Sequence, residues 1–128
     1  MKSIREYPKA TRISIPMAAA KASLYFRLPD YIFKNPAGFQ EMVAMRSDSY
    51  PRLSAEITKE GKQTSEGRTA TELTILQTAS ETSTAVPIAT FHGEAESRFV
   101  ISLLVPVAKL SEKAIVLIDW LRESVKQA

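Results

Sequence analysis

Residues 98–126 read RFVISLLVPVAKLSEKAIVLIDWLRESVK, and the change of rhythm inside this stretch decides the fold. Phe99, Ile101, Leu103 and Val105 recur at every second position, the period of a strand, while Val100 and Leu104 make the opposite side apolar as well. A strand apolar on both sides is expected at the centre of a sheet. Pro106 interrupts it, and after Ser111 the apolar spacing lengthens to that of a helix. Ser111 is the expected N-cap, with Leu110 and Ile115 placed as a hydrophobic staple around it. The helix is expected over about 111–126, with Ala114, Leu117, Ile118, Leu121 and Val125 in one buried stripe. Val116 and Trp120 fall outside that stripe and widen the apolar arc to roughly 200°. One sheet face covers less than that. The pair therefore either folds over the edge of its own domain or meets a partner. Trp is enriched at binding hot spots, so Val116 and Trp120 are candidate partner-interface residues.

Upstream, the pattern is mostly that of strands. Leu53, Ala55 and Ile57 alternate with Arg52, Ser54, Glu56 and Thr58, as in a half-buried antiparallel strand. Glu60 to Arg68 is polar, contains Gly61 and Gly67, and reads as a hairpin loop. Thr69 to Thr78 returns; Leu76 breaks the alternation, which implies a bulge or cover on both sides. Thr84 to Phe91 is a further strand, which Pro87 assigns to an edge or a bulge, and Gly93 is read as the next turn. Arg12 to Ile15 alternates until Pro16, and Leu24, Phe26 and Leu28 share a face opposite Lys21, Ser23, Tyr25 and Arg27. Asn35-Pro36 opens a short helix over about 36–46, with Phe39, Met42 and Val43 on its buried side. The expected fold is therefore α+β: one domain over residues 10–128, with an antiparallel sheet of five or six strands, the short helix, and the long C-terminal helix packed on one face. Residues 1–9 are read as a flexible N-terminal arm.

A chain of 128 residues, 45% hydrophobic and 24% charged, fits one ordinary globular domain. No cysteine is present, which excludes disulfides, thiolate metal sites and Cys nucleophiles. The longest apolar run, Phe99 to Ala108, holds Ser102 and Pro106 and is too short to span a bilayer, and the N-terminus lacks a secretory apolar run. The expectation is a soluble, cytoplasmic protein with no membrane partner.

Charge is unevenly distributed. Residues 1–68 hold 12 Lys/Arg against 7 Asp/Glu, and residues 69–128 hold 5 against 7. Within the basic half, Lys21, Tyr25, Phe26, Arg27, Tyr31, Phe33 and Lys34 interleave cations with aromatic rings. Single-stranded nucleic acid needs that mixture, because bases stack on planar faces while Lys and Arg meet phosphates. Arg12, Lys21, Tyr25, Arg27, Tyr31 and Lys34 are the candidate nucleic-acid-binding residues, on a basic and aromatic sheet face. The same alternation arises in any amphipathic strand, and no zinc-finger, helix-turn-helix or RNP-like signature accompanies it.

Catalytic signals are scarce. His92, Glu94 and Glu96 would share one face of a straight strand, but Gly93 interrupts them and no second His exists. Gly61-Lys62 lacks the rest of a phosphate-binding loop. No serine stands in a nucleophile elbow. The expectation is a non-enzymatic binding protein with no cofactor, no metal and no catalytic residues. Single-stranded nucleic acid is the leading ligand. The alternative is a dimeric protein-interaction module, a chaperone or adaptor, that uses the C-terminal helix to meet a second copy or another protein.

Overall fold

The computed structural model describes residues 12–16, 35–59, 63–64, 67–68, 71–94 and 98–126. The chain forms an α+β fold, as its periodicities imply. Strands β1 (Arg12–Pro16), β2 (Arg52–Lys59), β5 (Glu72–Thr78), β6 (Val86–Glu94) and β7 (Arg98–Leu103) make one antiparallel sheet. Its order is β1-β7-β6-β5-β2. Two short strands, β3 (Gln63–Thr64) and β4 (Gly67–Arg68), pair as a separate ribbon in the stretch read as a polar hairpin loop. Helices α1 (Pro36–Met45) and α2 (Glu112–Lys126), with a short 3-10 turn at Val107–Lys109 between β7 and α2, complete the described elements. No helix among the described residues is long and apolar enough to cross a membrane.

One side of the sheet builds the core. Ile13, Leu53, Leu73, Ile75, Phe91, Phe99, Ile101 and Leu103 project from it, and Phe39, Val43, Ala114, Ile115, Ile118 and Leu121 of the two helices pack onto them. Phe91 sits between two other rings, edge-on to Phe39 and tilted against Phe99, with both centroid separations 6.1 Å. Burying each such side chain stabilises the fold by roughly 1.5–3 kcal/mol. The central position differs from the sequence expectation. β6 holds it, and β7, the most apolar strand, lies one place toward the edge.

Pro87 explains how β6 can be central. Ile75 pairs with Ala89 and Leu76 with Pro87, so Ile88 is an extra residue opposite that step. The ladder breaks where proline has no N–H to give, so Pro87 needs no edge. Ile88 and Ala89 are both buried, and the Ile88 carbonyl accepts from Leu104 N–H at 2.9 Å. Gly93 does not turn the chain; it lies within β6 opposite Phe99.

The helix ends follow their local chemistry. Asn35 Oδ1 accepts from Gly38 N–H at 3.1 Å, and Pro36 occupies the first helical position. Ser111 Oγ accepts from Ala114 N–H at 3.2 Å. Gln77 secures the start of α2 to the sheet: its Nε2 donates to the Lys109 carbonyl at 2.9 Å, and its Oε1 accepts from Ser111 N–H at 2.8 Å. β2 is an outer strand, whose unpaired backbone groups invite pairing with other chains. Two of those groups are occupied by side chains. Leu53 N–H donates to Ser47 Oγ at 3.1 Å, and the Ala55 carbonyl accepts from Gln40 Nε2 at 2.8 Å.

Candidate interaction surface

The six residues assigned to nucleic acid fare unequally. Lys21, Tyr25, Arg27, Tyr31 and Lys34 lie outside the described residues. Arg12 is exposed at the start of β1, at one edge of the sheet. The side of the sheet away from the helices is polar rather than basic across its middle. One row aligns Ser102, Thr90, Thr74 and Glu56 between Arg12 and the far edge. The next row places His92 between Val100 and Glu72. Thr58 Oγ1 donates to Glu72 Oε1 at 2.8 Å. Val100 is fully buried on that side, so part of it is covered. His92 and Glu94 do stand in one uninterrupted strand, and Glu96 lies outside the described residues. Among the described residues no group of three or more His, Cys, Asp or Glu is placed to hold a metal.

A different cluster forms where the α1–β2 connection meets α2. Arg46 closes α1, and its guanidinium lies 5.6 Å from the centre of the Trp120 ring. Six residues on, the Arg52 guanidinium lies 4.4 Å from the Tyr50 ring centre. Between them, Lys113 Nζ donates to the Ser49 carbonyl and to Ser49 Oγ, the latter at 2.9 Å. The Tyr50–Pro51 peptide bond is cis. Lys113 and Trp120 are two helical turns apart on one side of α2, roughly 10 Å along its axis. The connection therefore runs back along the helix, from Trp120 to Lys113. Arg46 and Arg52 are exposed. Each contact of a cation with an aromatic face is worth about 0.5–1 kcal/mol at such exposed sites.

Val116 and Trp120 differ in role. Val116 is 63% exposed. At about 100° per residue it points almost directly away from Ala114, Ile118 and Leu121. Trp120 is half-buried, packs against the core and carries Arg46 on its ring, so it partly folds over its own domain. Met45, the last residue of α1 and the neighbour of Arg46, is 81% exposed. The wheel also separates charge around Val116. Lys113 and Trp120 lie about 40–60° to one side of it, and Glu112 and Asp119 lie equally far to the other. Because Arg46 rests on Trp120, the first flank carries two cations and the second two carboxylates.

Arg46 and Tyr50, expected at a helix end and a turn, and Arg52, expected on the polar side of a strand, interleave cations and an aromatic ring as residues 21–34 do. Arg122 is only 2% exposed on the inner side of α2. Arg122 NH1 reaches Asp119 Oδ1 at 3.4 Å. Its position, four residues after Ile118 and eight after Ala114, continues the buried stripe. Residue type, not spacing, concealed it.

Comparison with protein-family models, curated proteins and solved structures gave no match for this chain.

Proposed function

We propose that this protein is a non-enzymatic binding protein, a dimeric interaction module of the chaperone or adaptor kind that works through the outer side of α2. One observation carries the reading. Val116, an aliphatic side chain at the pole of α2 opposite the core, stands mostly in water. Trp120, Arg46, Tyr50 and exposed Met45 belong to the same helix or to the chain beside it. Tyr, Trp, Met and Arg are the residues in which interface centres are enriched. The test is native mass by sedimentation across a wide concentration range. The wild-type chain is expected to associate into a dimer, and Val116→Asp to sediment as a folded monomer. A wild-type chain that stays monomeric at the highest concentration refutes the reading.

A second reading is favoured by the pairs Arg46–Trp120 and Arg52–Tyr50, two exposed guanidiniums lying on aromatic rings beside Lys113. Single-stranded nucleic acid would meet its phosphates there through Arg46, Arg52 and Lys113, and stack a base on Tyr50. A shift assay with a single-stranded oligonucleotide at two salt concentrations separates the readings. Three phosphate contacts give a slope of log affinity on log salt of about −2. No binding at low salt eliminates this second reading and leaves the first untouched.

A further inference from the structure

We infer that Gln40 and Ser47 close the outer edge of β2 to the same strand of a second copy. The inference goes beyond the reading of α2, and neither depends on the other. It starts from the way the backbone of β2 faces. In an antiparallel strand, alternate residues turn their N–H and C=O groups toward the neighbour and the others turn them away. Leu53 N–H donates to Ser47 Oγ at 3.1 Å, and the Ala55 carbonyl accepts from Gln40 Nε2 at 2.8 Å. Leu53, Ala55 and Ile57 therefore turn their backbone groups away from β5. Among the described residues no further strand lies beside them.

Side chains, rather than the body of a helix, occupy this edge. Phe39 and Val43 of α1 point into the core, with Phe39 edge-on to Phe91, so α1 lies over the inner side of the sheet. Gln40 reaches the edge from the helix, and Ser47 reaches it from the turn that follows.

The two occupied backbone groups complement each other. When two β2 strands pair antiparallel about Ser54, Leu53 of one copy stands opposite Ala55 of the other. Such a pair exchanges both of its hydrogen bonds, so each Leu53 N–H meets the Ala55 carbonyl of the other copy. Those are the groups that Ser47 and Gln40 hold. The side chains on the outer face agree with this register. Arg52 stands opposite Glu56 of the other copy, and cross-strand pairs of opposite charge are favourable. Pairing about Glu56 would instead set that carboxylate against itself. Beyond Glu56 the ladder ends. Ile57 falls opposite Pro51 of the other copy, which has no N–H to give, and the register shift between Ile57 and Lys59 disturbs the edge again. β2 is thus an edge matched to its own copy and kept from it by bonds within the chain, a recognised protection against edge pairing.

A disulfide reports the pairing. The chain has no cysteine, and Ser54 is exposed. Pairing about Ser54 puts its two copies in a non-hydrogen-bonded pair, with Cα atoms about 4.5 Å apart, within the span of a disulfide. Ser54→Cys alone, with the edge still held, is expected to cross-link slowly under mild oxidation. Adding Gln40→Ala and Ser47→Ala is expected to raise the rate about tenfold, because the released amide and carbonyl gain by pairing. Adding Ala55→Pro to that chain removes an outward N–H, spares the ladder to β5, and is expected to return the rate to its first value. Equal rates with and without Gln40 and Ser47 overturn the inference. Fast cross-linking that Ala55→Pro does not slow also overturns it, since loosened chains rather than paired edges would then be reacting. A wild-type chain that sediments as a monomer refutes the reading of α2 and leaves this test unchanged.

Discussion

On its inner side α2 places Ala114, Ile118 and Leu121 in full contact with the sheet, while on its outer side Val116 remains 63% exposed. Both sides are aliphatic at their centres, so hydrophobicity alone does not distinguish them. What separates them is the cover. The inner side meets the alternating faces of β5, β6 and β7, with Phe91 and Phe99 beneath. On the outer side, the described residues place the chain from Arg46 to Ser49 along one flank. One helix can therefore carry stability on one arc and recognition on the other. Substitutions on the two arcs should then separate folding from association.

The largest expected effect is on the inner arc. Ile118→Ala removes a fully buried side chain, and denaturant unfolding should show a loss of about 2–5 kcal/mol. Val116→Ala on the same helix should change monomer stability by less than about 0.5 kcal/mol. If the two losses were alike, the exposed arc would be contributing to the core and the contrast would collapse.

Arg122 sharpens the same contrast, because it is a charged residue on the dry side. Its long aliphatic stem fills space, while its head meets Asp119, which keeps about a third of its surface in water. Arg122→Ala leaves both a cavity and an unbalanced carboxylate and should cost about 3 kcal/mol in unfolding free energy. Arg122→Met keeps the volume and should cost less than half as much. If the Met variant were as unstable as the Ala variant, the contribution of Arg122 would be electrostatic rather than steric.

How far the sequence discloses these features depends on the range of the interactions involved. Period-two and period-3.6 spacing express burial along one element, so β2, β7, α1 and α2 could be read directly from residues such as Leu53, Phe99, Phe39 and Ile118. Caps are local too, which is why Asn35 and Ser111 were identifiable. Strand order is not local. Phe99 to Val105 looked central because both its sides are apolar, but centrality is set by pairing partners far away in sequence, and β6 takes the place by means of the bulge at Ile88. The candidate surface was half legible. Val116 and Trp120 stood out against the helical stripe. Arg46, Tyr50 and Arg52 did not, because only the return path of the α1–β2 connection brings them beside a helix that begins some sixty residues later. The pattern at 21–34 gave the stronger sequence signal, and it lies outside the described residues.

The smallest expected effect bears most directly on function. Arg46→Ala removes an exposed guanidinium from the Trp120 ring, and unfolding should register only about 0.5–1 kcal/mol. The chain has a single tryptophan, so its fluorescence reports this site alone. Loss of the covering guanidinium should admit water to the indole and shift its emission to the red in the dilute monomer. In the concentrated wild-type protein, a second copy seated on the Val116 and Trp120 side of α2 should exclude that water, and the emission should move to the blue. The Val116→Asp chain, expected to stay monomeric, should show no such dependence on concentration. A wild-type spectrum that does not change with concentration, in a chain that does associate, would place the association elsewhere, on a surface that does not include Trp120.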